Sequence, residues 1–348
     1  MESIAKLLQA IPKYDALPEL LQFLIPIVTS CVIIFALMAL CVLFMVWLER
    51  KVSAHIQDRL GPMVVGGWHG WAQTLADALK LLLKEDIVPA SVDKILFKMA
   101  PFIVFLGAFA AYVVLPFGAS SFVTDLNIGI LYIVAVSSLS VIGIIMAGWA
   151  SNNKYSLYGS MRAAAQVISY EIPAALSIMA VVISVGSLSM VEIVKAQDGS
   201  FLNWFIFKNP FIFLAFIIYF IASLAEVNRT PFDLPEAESE LIAGYHTEYS
   251  GMRFAFFFLA EYANMLLVAS VATTLFLGGW TLPIPLLSEI IPGPIIFLVK
   301  ALLLIFIQMW MRWSLPRLRV DQLMYVNWKV LMPASFVLIL GAGWMAIR

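Results

Sequence analysis

Charge is scarce in this 348-residue chain: 21 Lys and Arg against 22 Asp and Glu amount to 12% of the residues, with a net charge of -1. Without a basic field the chain offers nothing to the phosphates of nucleic acid, which is excluded as a partner. Cysteine is scarcer still. Cys31 and Cys41 lie ten positions apart in one apolar run, a spacing that suits neither a metal site nor a disulfide along a helix, so both read as packing residues. His55, His69 and His246 stand too far apart to serve as a pair of axial ligands, and the sequence has no CxxC run and no Gly-rich nucleotide loop. No flavin, haem, iron–sulfur cluster or metal ion is therefore expected on this chain alone. Low-complexity tracts, obvious internal repeats and a second domain are also lacking, so residues 1–348 read as one unit. A cleavable leader is not expected either, because Met1 to Glu19 mixes Lys6, Lys13 and Asp15 with two prolines before the first apolar run.

What the chain has is apolar surface. It is 62% hydrophobic, carries 25 Phe and 16 Met, and has a mean hydropathy of +0.96. No soluble domain of this size hides so much, and the fold class that follows is an all-α polytopic membrane protein. Eight runs are long enough to cross about 30 Å of hydrocarbon: residues 21–48, 99–117, 128–150, 168–190, 210–226, 254–280, 294–313 and 330–347. Of the 21 Lys and Arg, the connections 49–98, 151–167, 227–253 and 312–329 hold 7, 2, 2 and 4. The positive-inside bias places these loops in the cytoplasm and both termini outside, a multi-pass topology in a cell inner (plasma) membrane.

The first cytoplasmic connection carries its own helix. Trp68, Trp71, Leu75, Leu79, Leu82 and Leu83 recur at helical spacing, with Gln73, Asp77, Lys80 and Lys84 opposite. Such a helix either lies on the bilayer surface as an anchor or turns its polar face to a cavity beneath that surface. The third cytoplasmic connection is acidic: Asp233, Glu236, Glu238, Glu240 and Glu248 follow Glu226. Pro231 and Pro235 end the preceding helix, Asp233 suits the cap of a new short one, Glu236 and Glu238 fall in its first turn, and Gly244 suits its stop. Glu236 and Glu240 then share a face, where mutual repulsion leaves one of them protonated near neutral pH.

Ionisable groups inside hydrocarbon cost at least about 2.5 kcal/mol each, which makes intramembrane acids functional by default. Glu171 stands two residues before Pro173, whose missing N–H opens the backbone ladder. Glu261 lies eight residues past Arg253, about 12 Å along a helix, and so inside the slab unless a wet cavity reaches it. Lys300 sits between IIFLV and ALLLIFI. A lysine there needs an acid, a carbonyl or water, and Glu171, Glu226 or Glu261 is the expected partner. Arg229, three residues past Glu226, suits these acids as a counter-ion. Arg50, Arg59, Arg312, Arg317 and Arg319 fall at span ends, where topology alone also calls for them. Phe232, Trp47, Met63 and Val64 suit the lining of an apolar tunnel or plain packing.

Four blocks carry a resemblance. WLERK (Trp47 to Lys51) with QDRLGP (Gln57 to Pro62), SNNKYS (Ser151 to Ser156) with GSMRAAAQVISYEIP (Gly159 to Pro173), the run from Ala225 to Phe257 containing NRTPFDLPEAE, and RWSLPRLRVDQLM (Arg312 to Met324) follow in order. Together they resemble the membrane-subunit family called subunit 1, or the H-type subunit, of the proton-pumping NADH:quinone oxidoreductase, respiratory complex I. The likeness runs from about Trp47 to Pro333. It implies quinone as substrate, electrons arriving from an iron–sulfur partner docked on the cytoplasmic loops, neighbouring membrane-arm subunits, and a file of acids at Glu49, Asp77, Glu171, Glu226, Glu236, Glu238, Glu240 and Glu261. It also places Arg312 and Arg317 in the quinone cavity, with Arg50, Arg59, Arg229 and Phe232 at or near it. Met63 departs from the polar residue usual after GP in that family. A subunit of a membrane-bound hydrogenase and a stand-alone cation/proton antiporter are the other classes such a chain could serve.

Overall fold

The structure, a computed structural model, describes residues 18–119, 121–235, 238–283 and 290–347. Among them the chain is helical and forms no strand. With no water in hydrocarbon, each N–H and C=O of a spanning segment must be satisfied inside the protein, and a single chain of apolar runs does this as helices. In order these are α1 (Glu19–Ile56), α2 (Gln73–Leu83), α3 (Lys94–Ala111), α4 (Gly129–Ser137), α5 (Leu139–Ala150), α6 (Lys154–Val185), α7 (Met190–Lys195), α8 (Phe205–Lys208), α9 (Pro210–Glu226), α10 (Glu238–Leu241), α11 (Gly251–Phe276), α12 (Gly293–Ser314), α13 (Val320–Tyr325) and α14 (Met332–Ile347). Seven helical stretches among the described residues are long and apolar enough to cross a bilayer. The remaining expected span, α9, has 17 residues, the short end of the spanning range.

Several of the connections expected in the cytoplasm prove shorter, because the helices continue into them. α1 has 38 residues, so it measures about 57 Å and overshoots one hydrocarbon thickness by almost half its length. Glu49 and Arg50 are therefore helical, not loop. α6 begins at Lys154, which absorbs most of the expected loop 151–167. The last span starts at Val320 and runs through a π-helical turn at Val326–Leu331 into α14, which leaves only residues 315–319 of loop 312–329 outside a helix. The expected span 128–150 is two helices that meet at Ser138, where Ser137, Ser138 and Ser140 donate to the carbonyls of Val134, Ala135 and Ser137.

Prolines inside spans leave carbonyls without their usual i+4 donor. Side chains from elsewhere take them. Pro173 cannot serve Ser169, whose carbonyl instead accepts from Asn327 Nδ2 in the π-helical turn at 2.7 Å. Pro101 cannot serve Phe97, whose carbonyl accepts from the Tyr249 hydroxyl at 3.2 Å, with the two rings stacked. Both donors come from segments that flank the acidic connection or follow it, so backbone gaps in α3 and α6 become attachment points for the functional end of the bundle.

The acidic connection is tied down along its length. Gln166 Nε2 donates to the carbonyls of Ala225 and Phe232. Glu248 accepts from Asn153 Nδ2, while Asn153 Oδ1 caps α6 by accepting from Tyr155 N. Gly159 faces Gly244 so closely that a Cβ on it would stand 2.7 Å from the Gly244 Cα. The described short helix is α10, and it ends at Ile242 with φ of +66°, ahead of the expected stop at Gly244. The Asp233 carboxylate pairs with Arg317 at 3.0 Å. The expected pairing of Glu236 with Glu240 falls partly on residue 236, outside the described residues; Glu240 itself pairs with Arg162 at 2.5 Å.

Candidate functional site

Where the C-terminal parts of α1 and α12 meet the N-terminal half of α11, a buried carboxylate gathers the donors. Glu49 accepts from Arg229 Nη1 at 3.2 and 3.3 Å, from the Tyr262 hydroxyl at 2.6 Å, and from Arg312 Nη1. Arg229 reaches on with Nη2 to Glu261, 3.2 Å away, and lies over the Tyr262 ring at 4.4 Å. Burial pulls the Arg229 guanidinium down, but the carboxylates of Glu261 and Glu49 outweigh it and hold the cation firmly protonated. Two acids and two arginines thus share one site, each acid paired, as charges at low dielectric require.

This network walls a cavity of about 680 Å³, lined also by Arg50, Asp233, His246, Phe254, Phe258, Trp313 and Arg317. The cavity reaches Glu261, which answers how an acid can stand so far along a span. Beside it lies a second cavity of about 450 Å³ between α1, α2 and α11, walled by Ala39, Val42, Leu43, Leu81, Leu82 and Leu259 with Asp77 and Lys80 at its edge. Val46, Arg50, Phe254 and Phe258 line both. Polar and apolar chambers are therefore contiguous. Arg50 stands at their junction and pairs with Asp77 at 2.5 Å, a bond that fixes the polar side of α2 against α1. Burial pushes the Asp77 carboxyl up, yet the hydrogen bond and charge of Arg50, with Lys80 beside it, hold it below the usual carboxylate range. The apolar side of α2 stays outward, with Leu79, Leu82 and Leu83 exposed.

A third cavity is small. About 30 Å³ lies between Glu171 on α6 and Glu226 on α9, lined also by Ser137 and Tyr219, room enough for ordered water. The break between α4 and α5 supplies the Ser137 side of it. The structure thus brings the expected acids into two groups: Glu49 with Glu261, and Glu171 with Glu226. Glu238 begins α10, and Glu240 is held by Arg162 at the surface.

Arg229 is a counter-ion of the acids as expected, and the two it serves are Glu49 and Glu261, because the turn after α9 carries it across to α1 and α11. Phe232 lines none of these cavities; it is buried against Tyr170 with ring centroids 5.2 Å apart. Arg59 is exposed and bonds Gln57, outside the cavity lining. Trp47 donates to His69 O, and Met63 Sδ faces the Lys51 ammonium, so both organise the loop after α1. Among the described residues Lys300 meets no acid: its three hydrogens go to the carbonyls of Leu277, Gly279 and Thr281. Reasoning from the sequence missed Tyr262, Gln166 and His246. Tyr262 follows Glu261 directly, and a hydroxyl beside a buried acid is the signal that could have found it; Gln166, polar in an Ala-rich helical stretch, offered a weaker one.

The family model described as NADH dehydrogenase matches residues 29–343. The chain is 54% identical over 309 residues to the H-type NADH-quinone oxidoreductase subunit of Chlorobaculum tepidum, covering 85% of this chain and 86% of that protein. A protein of the same description from Bacteroides thetaiotaomicron is 47% identical over 334 residues, covering 93% and 91%. The H-type subunit numbered 2 of Geobacter metallireducens is 45% identical over 350 residues, covering 95% and 98%.

Proposed function

This chain belongs to the NADH dehydrogenase family, and from that premise we propose that it is the membrane subunit of an NADH-quinone oxidoreductase that forms much of the quinone cavity and couples quinone reduction to proton translocation. The observation that carries the reading is the pair of joined chambers. A quinone has a polar head and a long apolar tail, and the apolar chamber between α1, α2 and α11 suits the tail while the arginine-rich chamber suits the head. Arg50, Arg229, Arg312 and Arg317 supply donors to quinone oxygens; Arg312 and Arg317 face the cavity from the end of α12 and the segment after it. Other subunits of the complex dock on the cytoplasmic face and along the bundle. Electrons come from a cluster on such a partner, and the outward apolar side of α2 rests in the lipid interface. Both termini lie on the outer side.

Coupling works through charge balance. A reduced quinone takes up protons, and a negative charge appearing beside Arg312 and Arg229 competes with Glu49 and Glu261 for the same cations. A carboxylate that loses its arginine in a buried site gains a proton. Glu171 and Glu226, with water between them, pass the proton onward, and Asp77, Glu236, Glu238 and Glu240 complete the file at the cytoplasmic end.

The test is titratability. Glu171→Gln and Glu261→Gln keep volume and hydrogen bonding but remove the proton chemistry, so the assembled complex is expected to lose most quinone-linked turnover and pumping in inverted membrane vesicles. Glu171→Asp and Glu261→Asp are expected to retain more of both. If both Gln variants pump at the wild-type ratio per complex, the acids are structural and this reading fails for them.

A further inference from the structure

The far end of α11 is held by a knot that the coupling scheme leaves out. α11 ends at Phe276, and the turn that follows passes through Gly278 and Gly279, both at positive φ. Gly278 and Gly279 are buried, so the carbonyls and N–H groups of the turn need partners inside the protein. Two side chains supply them. Gln197 donates to Thr274 O at 2.9 Å and accepts from Gly278 N at 3.0 Å. Lys300, from the first half of α12, donates to Leu277 O, Gly279 O and Thr281 O at 2.7, 2.9 and 2.7 Å.

The cage around the ammonium is built for a cation. Three carbonyl oxygens take its three hydrogens, and the Trp204 ring covers it with 4.2 Å between Nζ and the ring centroid. A neutral amine has only two hydrogens and would leave one oxygen unserved. Nothing can be added to the turn: a Cβ on Gly278 would meet Trp204 Nε1 at 2.5 Å, and one on Gly279 would meet Val194 at 2.6 Å. Among the described residues the partners of Lys300 contain no titratable group, unlike every pair in the cytoplasmic network.

α11 and α12 are therefore joined twice. Near the cytoplasm they meet through Glu261, Arg229, Glu49 and Arg312, groups that can exchange partners. At the other end, fifteen residues or about 22 Å along α11 from Glu261, they meet through Lys300 and backbone. We propose that Lys300 is a fixed cation, a positioning residue that anchors the outer end of α11 against α12 and thereby sets the depth and rotation at which Glu261 and Tyr262 present themselves to Arg229 and Glu49. On this reading Lys300 keeps its proton and does not carry it onward. The functional half of this inference rests on the reading of Glu261 given above; the anchoring half does not.

The experiment uses the assembled complex in inverted vesicles with Lys300→Met, Lys300→Arg and Lys300→Ala. Backbone hydrogen exchange over residues 274–281 reads the anchor, and protons pumped per electron read the positioning. Lys300→Met is expected to speed exchange there about tenfold or more, since hydrogen bonds to a charged donor are lost, and to lower the pumping ratio. Lys300→Arg, which cannot shed its proton, is expected to keep the ratio. In Lys300→Ala, added methylammonium is expected to restore protection and pumping together, while tetramethylammonium, with no N–H, restores neither. Unchanged exchange in Lys300→Met overturns the anchor; faster exchange with a wild-type pumping ratio overturns the positioning. An assembled Lys300→Arg complex with a protected turn and no pumping makes Lys300 a carrier after all. Glu261→Gln, by contrast, is expected to leave exchange at 274–281 unchanged, so a Glu261→Gln complex that pumps normally sinks the coupling reading and leaves the anchor to the exchange data.

Discussion

Replacing Glu49 by Gln removes one charge from a buried set that balances: Glu49 and Glu261 contribute -2, Arg229 and Arg312 contribute +2, and the sum is zero. After the change the sum is +1, with two guanidiniums facing one carboxylate. At 3.2 Å and an effective dielectric of about 20, the lost Glu49–Arg229 pair is worth about 5 kcal/mol of raw Coulomb attraction, and relaxation and solvent reduce this to the roughly 3–5 kcal/mol seen when one member of a buried pair is removed. Arg229 is almost wholly buried and carries most of that loss, whereas Arg312, a quarter exposed, finds water more easily. About 3 kcal/mol corresponds to roughly two decades in an equilibrium. Glu49→Gln is thus expected to reduce sharply both the fraction of intact complex surviving mild heating and inhibitor-sensitive quinone reductase activity per surviving complex. The decisive arm is compensation. Glu49→Gln combined with Arg312→Gln returns the set to zero, with Arg229 paired to Glu261, so survival on heating is expected to recover by a coupling of about 1–3 kcal/mol relative to the sum of the single changes. Quinone activity is not expected to recover, because Arg312 is lost from the cavity wall. Strictly additive heat sensitivities across the cycle would show that the four groups do not act as one unit and would refute the charge-balance argument.

Two further expectations concern the cytoplasmic face and the topology. The Arg50–Asp77 pair holds the Asp77 carboxyl below its ordinary range, so its stabilisation is present above the unfolded carboxylate pKa and is lost as pH falls through the lower, folded one. Protease resistance of the α2 segment is accordingly expected to fall in acid, and Asp77→Asn is expected to show the loosened state at every pH; a segment equally resistant in both proteins across the range would remove this pair from the account. A protease site inserted between Asp198 and Asn203 is expected to be cut only from the outer face, since the basic residues concentrate in the connections 49–98, 151–167, 227–253 and 312–329. Cutting from the cytoplasmic side would reverse the orientation.

Much of the bundle could be read from one dimension because hydropathy and helix rise are local quantities. A run of about 20 apolar residues crosses a bilayer whatever its neighbours are. Span number, the amphipathic helix α2 and the acidity of the connection after α9 all follow from such counting. Helix ends did not: α1, α6 and the last span run on past the hydrocarbon, since the cost of an exposed helix there depends on what packs beside it. Glu171, Glu226 and Glu261 announced themselves because an unpaired charge in an apolar run is expensive, but that cost names no partner.

Partners are a matter of convergence. Glu49 and Arg229 are 180 positions apart, and Glu49 and Arg312 are 263 apart. No spacing rule spans such separations, so the sequence offered Arg229 to the acids as a group, and folding chose two on other helices. Nor does any spacing rule turn Phe232 onto Tyr170 or leave Arg59 in solvent. Lys300 shows the division most plainly. The sequence by itself determined that a cation stands in mid-span and must be satisfied there; that the satisfying groups are three backbone carbonyls at the end of α11 was decided only when α11 and α12 packed, because every residue has a carbonyl and only folding selects which ones a neighbouring helix leaves open.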